Sequence, residues 1–203
     1  MLIKICGITS LETAKVVESA GADLIGFVFA PSKRRISPEK AKRISRELSP
    51  RVKKVGVFVN ESVENIISIA DEVGIDYIQL HGDEDELFAK QIPFPIIKAF
   101  SIEQTDVTTI ERYPAEFILL DSPGKKYRGG TGETFNWERI NELELDKQKI
   151  MLAGGLNVHN VQRAIQLVAP RGIDVSSGVE TNGIKDHVKI KQFIKRAREV
   201  ELI

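Results

Sequence analysis

The run Ile173-Asp174-Val175-Ser176-Ser177-Gly178-Val179-Glu180, near the C-terminus, decides how the chain is read. Ile173 to Val175 is a short β-branched strand that stops at two serines and a glycine, ahead of an amphipathic run from Asp186 to Val200. A strand that ends this way and feeds a helical turn offers backbone N–H groups at a positive helix end, an arrangement suited to a phosphate. Upstream, Leu152-Ala153-Gly154-Gly155-Leu156-Asn157 repeats the pattern of strand, two glycines and an asparagine suited to cap the next helix. Either glycine cluster alone also fits a plain strand-to-helix turn. The pair carries more, because both lie in the last quarter of a chain of repeated strand–helix units. Eight-fold β/α barrels commonly hold phosphate after strands seven and eight.

Working outward, eight short apolar runs can be counted: Leu2–Cys6, Leu24–Phe29, Lys53–Val59, Tyr77–Leu80, Ile96–Phe100, Phe117–Asp121, Ile150–Ala153 and Ile173–Val175. Helical segments lie between them, most with a start signal. Thr9 or Ser10 caps Leu11–Ala20; Ser37-Pro38 opens a helix toward Leu48; Ser62 opens Val63–Val73; Asn157 opens Val158–Val168; Asp186 opens the last helix. Less marked helices are expected at Glu84–Gln91, Glu103–Arg112 and Asn136–Leu143. Near-continuous apolar strands alternating with helices indicate a parallel sheet covered by helices. An open doubly wound sheet would carry a glycine fingerprint after its first strand. Strand one ends instead in Cys6-Gly7-Ile8-Thr9. The expected fold is therefore α/β, a single (β/α)8 TIM barrel forming one catalytic domain over residues 1–203.

Bulk properties narrow the function classes. The 203 residues suffice for one domain with a real core, and 42% hydrophobic with 29% charged residues describe a globular protein. Basic and acidic residues balance at 29 each, so no positive field advertises nucleic acid or a membrane surface. One cysteine excludes an intrachain disulfide and a cysteine-based zinc site. Three scattered histidines without an acidic cluster argue against a catalytic metal. No signal peptide or spanning segment is recognisable, so the expected location is cytoplasmic.

In such a barrel, working side chains project from the C-terminal strand ends. Those ends give Cys6, the loop with Lys33-Arg34-Arg35, Asn60, His81, Asp121, Gly154-Gly155 and Asp174-Ser176-Ser177. Cys6 reads either as an inert buried thiol or, with Lys4 on the same strand face, as a thiolate base. Asp121 either caps its own turn or faces the cleft as a general acid; the cleft reading is adopted. Arg34 and Arg35 form a solvated charge run or an arginine fork for a carboxylate or phosphate. Gly129-Gly130-Thr131-Gly132 is a lid hinge, an anion nest or a plain loop. His81 is assigned a hydrogen-bonded supporting role. These parts imply a phosphorylated small molecule, one acid, one base and no cofactor, which suits both sugar-phosphate isomerisation and a non-catalytic phosphometabolite sensor.

Eight motifs in order narrow the choice. Lys4-Ile5-Cys6-Gly7-Ile8-Thr9, Gly26-Phe27-Val28-Phe29, Val55-Gly56-Val57-Phe58-Val59-Asn60 and Gln79-Leu80-His81-Gly82 resemble phosphoribosylanthranilate isomerase. So do Leu119-Leu120-Asp121, Gly129-Gly130-Thr131-Gly132 with Phe135 and Trp137, Ala153-Gly154-Gly155-Leu156, and Asp174 through Glu180. The set covers nearly the whole chain. The resemblance implies an Amadori rearrangement of N-(5′-phosphoribosyl)anthranilate to 1-(2-carboxyphenylamino)-1-deoxyribulose 5-phosphate in tryptophan biosynthesis. It makes Asp121 the acid and Cys6 the base, the first starting protonated and the second as thiolate. It puts phosphate between Gly154-Gly155 and Ser176-Ser177-Gly178, with Gly130 and Gly132 nearby. Arg34 then meets the anthranilate carboxylate or developing charge, and His81 and Asp174 join it as substrate-binding groups.

Two departures qualify the match. Pro31 and Ser32 are adjacent where the family usually has a residue between them; counting back from Ile36 selects Arg34 over Arg35. Lys125-Lys126-Tyr127-Arg128 is unusually basic, suited to steering an anionic substrate. Two alternatives remain. A histidine-pathway barrel isomerase would carry an aspartate where Cys6 stands, and a silent phosphosugar binder would not need Cys6 and Asp121 together. The expected assembly is a monomer or homodimer.

Overall fold

The computed structural model describes residues 1–101, 105–121 and 137–200, without the side chains of Glu138 and Arg139. Gly130, Gly132 and the basic segment Lys125–Arg128 lie outside the described residues. Eight parallel strands close a barrel in chain order. They are β1 (Leu2–Cys6), β2 (Leu24–Val28), β3 (Lys53–Phe58) and β4 (Tyr77–Leu80), then β5 (Ile96–Ser101), β6 (Phe117–Asp121), β7 (Ile150–Leu152) and β8 (Gly172–Val175). The seam is β1 against β8, with Lys4 opposite Asp174 and Ile5 opposite Val175. All eight expected strands form, with ends displaced by at most one residue.

Local chemistry sets the helix starts. Ser10, Ser37, Ser62 and Asp186 each accept a backbone N–H at the head of α1 (Leu11–Ser19), α2 (Pro38–Glu47), α3 (Val63–Val73) and α8 (His187–Arg198). The weaker segments shorten to α4 (Glu86–Ala89), α5 (Val107–Arg112) and α6 (Glu138–Glu142). Asp85 and Asp106 cap the first two of these, later than the expected starts at Glu84 and Glu103. Helix α7 (Val161–Val168) also starts late. Asn157 does not cap it: its Oδ1 accepts from the His159 N–H and its Nδ2 donates to the Gly155 carbonyl, so the asparagine closes a turn instead.

Alternation along the strands splits the apolar residues into two cores. Leu24, Val55, Ile97, Phe117, Leu119 and Met151 fill the barrel interior. A larger cluster lies between sheet and helices; from α8 it takes Ile190, Phe193, Ile194 and Ala197, the helical spacing of one buried face. Burying a side chain such as Phe193 contributes about 1.5–3 kcal/mol. The same alternation that sends Leu2 and Leu119 inward sends Cys6 inward four residues later and Asp121 two residues later, where the strands end. The interior is thus apolar toward the strand starts and polar at the mouth.

One element was not expected. After a single 3-10 turn at Ser177–Val179, the chain makes a small hairpin of β9 (Glu180–Thr181) and β10 (Ile184–Lys185) before α8. Asn182 and Gly183, at φ 53° and 78°, form the left-handed two-residue connection that such hairpins favour. Among the described residues no helix is long and apolar enough to cross a membrane.

Candidate active site

Cys6 ends β1 with only 7% of its surface exposed. It pairs across the sheet with Gly26, and a Cβ at Gly26 would stand 2.7 Å from the Cys6 Sγ. Glycine therefore makes the space in which the thiol lies. Below it, the fully buried Lys4 places Nζ 3.0 Å from Asp174 Oδ1. Burial works against the Lys4 ammonium, but Asp174 and Cys6 outweigh it and hold the lysine above its ordinary value. Cys6 behaves in the opposite way. Burial pushes the thiol up, and although Lys4 and Lys185 pull it down, burial and the Asp174 charge prevail. The expected neighbouring ammonium is present, yet the net shift runs against the expected thiolate.

Arg34, the arginine selected from the sequence, is half-buried, while Arg35 is exposed. The Arg34 guanidinium, expected to face the anthranilate carboxylate or developing charge, is paired with a carboxylate of the chain. Nε lies 2.7 Å from Glu180 Oε1 and Nη2 2.9 Å from Oε2, a bidentate pair whose planar fork matches a carboxylate. The arginine's aliphatic stem crosses Gly7, where a Cβ would meet Cδ at 2.5 Å. Glu180 also receives Lys185 Nζ at 2.6 Å. Burial would raise the Glu180 carboxyl, but Arg34 and Lys185 hold it below the usual glutamate range. Asp174, expected to bind substrate, is instead engaged by Lys4 inside the barrel. Its place within β8, one alternation below Ser176, explains why.

Across the mouth, Asp121 ends β6 at 7% exposure, pointing inward as the cleft reading requires. His81 follows β4 and places Nε2 3.6 Å from Asp121 Oδ2. Its Nδ1 lies 2.8 Å from Gln79 Nε2. An amide nitrogen can only donate, so Nδ1 accepts and the ring proton is directed to the Asp121 side. The turn after His81 is held by a buried ion pair. Glu84 accepts from the Asn60 and Gly82 N–H groups at 2.7 and 2.8 Å, and Lys98 Nζ lies 2.8 Å from Glu84 Oε2 and 2.9 Å from the Gly82 carbonyl. Glu84 was read as a helix start; it is a buried clamp between the loops after β3 and β4.

The two glycine-bearing strand ends meet. A Cβ at Gly178 would stand 1.8 Å from the Leu156 carbonyl oxygen, so only glycine allows the β8 turn to lie against the β7 loop. Gly154 and Gly155 both take left-handed backbone, at φ 77° and 65°. Among the described residues neither donates its N–H to a partner. Ser176 and Ser177 start the facing turn, and Ser176 Oγ donates to the Cys6 carbonyl at 3.2 Å. The structure thus groups Cys6, Arg34, Asp174, Ser176, Ser177 and Gly178 with the Gly154-Gly155 loop on one side of the mouth, and His81 with Asp121 on the other.

Sequence reading passed over Glu180, Lys185 and Gln79 as site residues. For the first two the available signal was Asn182-Gly183 between short runs, which marks a hairpin and folds Lys185 back onto Glu180. For Gln79 it was the period of two from His81.

A closed parallel barrel with a thiol and a carboxylic acid inward at its C-terminal mouth is the architecture of a (β/α)8-barrel enzyme. The family model described as N-(5′-phosphoribosyl)anthranilate (PRA) isomerase matches residues 3–196, and the chain belongs to that family. It is 51% identical over 199 residues to the N-(5′-phosphoribosyl)anthranilate isomerase of Bacillus cereus, covering 97% of this chain and 98% of the relative. The crystal structure of the Thermus thermophilus phosphoribosyl anthranilate isomerase superposes with a TM-score of 0.89 at 36% identity, covering 98% of each chain. A further phosphoribosyl anthranilate isomerase, solved in complex with reduced 1-(o-carboxyphenylamino)-1-deoxyribulose 5-phosphate, matches at TM-score 0.84 and 43% identity over 98% of this chain and all of that one. As a family member the chain is an isomerase of tryptophan biosynthesis.

Proposed function

We propose that Asp121 and Cys6 are the acid and base of the isomerisation of N-(5′-phosphoribosyl)anthranilate to 1-(2-carboxyphenylamino)-1-deoxyribulose 5-phosphate. Asp121 gives its proton to the furanose ring oxygen as the C1′–O bond opens. The Cys6 thiolate removes the C2′ proton, and the resulting enolamine tautomerises to the ketone. The observation that carries this reading is the placement of both groups, nearly buried and inward, at one end of the barrel. Proton transfer by a positioned group contributes about 10²–10⁴-fold.

The remaining roles follow the geometry. His81 orients Asp121. Asp174 acts through Lys4 on the floor beneath Cys6. Arg34, fixed by Glu180 through Nε and Nη2, offers the rest of its fork to the anthranilate carboxylate. The substrate phosphate is placed between the Gly154 and Gly155 N–H groups and the Ser176-Ser177-Gly178 turn, with Gly130 and Gly132 assigned to the same subsite from the sequence. We read the chain as one cofactor-independent catalytic domain of the cytoplasm, monomeric or homodimeric, with sedimentation at working concentration to separate the two.

The test follows loss of substrate fluorescence with wild type and Asp121→Asn side by side. Wild type turns over, and the variant falls by about 10²–10⁴-fold. An equally fast variant removes the acid assignment; an inert wild type removes the proposal.

A further inference from the structure

The hairpin that sequence reading missed brings a third cation to the base. Lys185 Nζ lies 2.8 Å from the Ser176 carbonyl, 3.3 Å from Ser176 Oγ and 2.6 Å from Glu180 Oε1, with 6% of its side chain exposed. Ser176 Oγ in turn donates to the Cys6 carbonyl. The ammonium is thus one hydroxyl removed from the Cys6 backbone, on the mouth side of the thiol, opposite Lys4 on the barrel side. A buried ammonium is costly unless its charge is used or paired. Lys185 shares its carboxylate with Arg34, which takes both Glu180 oxygens. The pairing is therefore incomplete: around Cys6 stand the cations Lys4, Arg34 and Lys185 against the carboxylates Asp174 and Glu180. Lys189, from α8, bonds the Glu180 backbone carbonyl rather than its carboxylate.

We infer that Lys185 is a positioning residue for the base: its ammonium supplies, from the mouth side, the positive charge that a Cys6 thiolate completes. Without it, only Lys4 and Arg34 are left to oppose the cost of a buried thiolate at the barrel mouth. The Ser176 and Glu180 bonds hold that ammonium in place while substrate enters. Burial holds Lys185 below its ordinary value; against that, Glu180 and the Cys6 charge raise the lysine, as Lys185 in turn lowers the thiol. This inference rests on Cys6 being the base.

Cys6 is the only cysteine, so its thiolate can be titrated directly by ultraviolet absorbance in the intact protein. Lys185→Gln keeps a donor for Ser176 and Glu180 but no charge; Lys185→Arg keeps the charge. The expected result is a rise of about one pH unit in the thiol midpoint for Lys185→Gln, the scale of one nearby charge. The alkaline-rising limb of kcat/KM should move with it, and Lys185→Arg should stay near wild type. Should Gln prevent folding, Lys185→Met supplies the same loss of charge. An unmoved midpoint in a folded neutral variant, or an equal shift in Lys185→Arg, overturns the inference. Full turnover by Cys6→Ala would instead overturn the base assignment, and the two failures are distinct.

Discussion

The two sides of the barrel mouth are built differently. Around Cys6, on the β1 and β8 side, stand Lys4, Asp174, Arg34, Glu180 and Lys185, charges joined by bonds of 2.6–3.0 Å. Around Asp121, on the β4 and β6 side, the described residues place the amide of Gln79 and the imidazole of His81. The difference follows from what each proposed group must do. A thiol that acts as a base must become an anion where burial opposes it, and neighbouring cations offset that cost. A carboxylic acid that hands over a proton needs orientation more than it needs charge.

The comparison can be broken from either side. Lys4→Met should be the more damaging change, because it leaves Asp174 buried and unpaired; about 3–5 kcal/mol of stability should be lost in urea unfolding. Gln79→Met, at the matching depth below His81, removes one hydrogen bond and a carbonyl Oε1 that has no hydrogen-bond partner among the described residues. Its cost should stay near 1 kcal/mol. Equal losses would erase the asymmetry.

Gly26→Ala sharpens the base side without touching a charge. The new methyl would need the space of the Cys6 Sγ, 2.7 Å away. A displacement of the order of 1 Å in a reacting group lowers the rate by about 10²-fold, so kcat/KM should fall steeply while the far-ultraviolet circular dichroism is kept. Unchanged kinetics would mean the thiol position is not critical.

The smallest effect is in the pH dependence of stability. Glu180 is held below the ordinary value of 4.5, mainly against burial, by Arg34 and Lys185. A depressed folded value contributes stability that is present above the ordinary value and lost as pH falls through the folded one. Acid unfolding of wild type should therefore steepen below about pH 4.5, and Glu180→Gln should show a shallower slope there. A slope unchanged in the variant would place the acid-sensitive pairing elsewhere.

Much of this was legible in the residues. Strand ends Cys6 and Asp121, the caps Ser10, Ser37, Ser62 and Asp186, and the meeting of the Gly154-Gly155 and Ser176–Gly178 turns all follow from local patterns of apolar runs, small polar caps and glycines. What escaped depends on distant pairing. Nothing near Asp174 in the chain says that Lys4 will occupy it, 170 positions away. Nothing near Arg34 says that Glu180 will take its fork, 146 positions away. The direction of the Cys6 shift escaped for the same reason, since it is set by burial that only the closed barrel creates.

The most direct test of the account is kcat/KM for N-(5′-phosphoribosyl)anthranilate with Cys6→Ala beside wild type, followed by loss of substrate fluorescence. The account predicts a fall of about 10²–10⁴-fold with the fold intact. A Cys6→Ala variant as fast as wild type would contradict it, and the charged side of the mouth would then need another purpose.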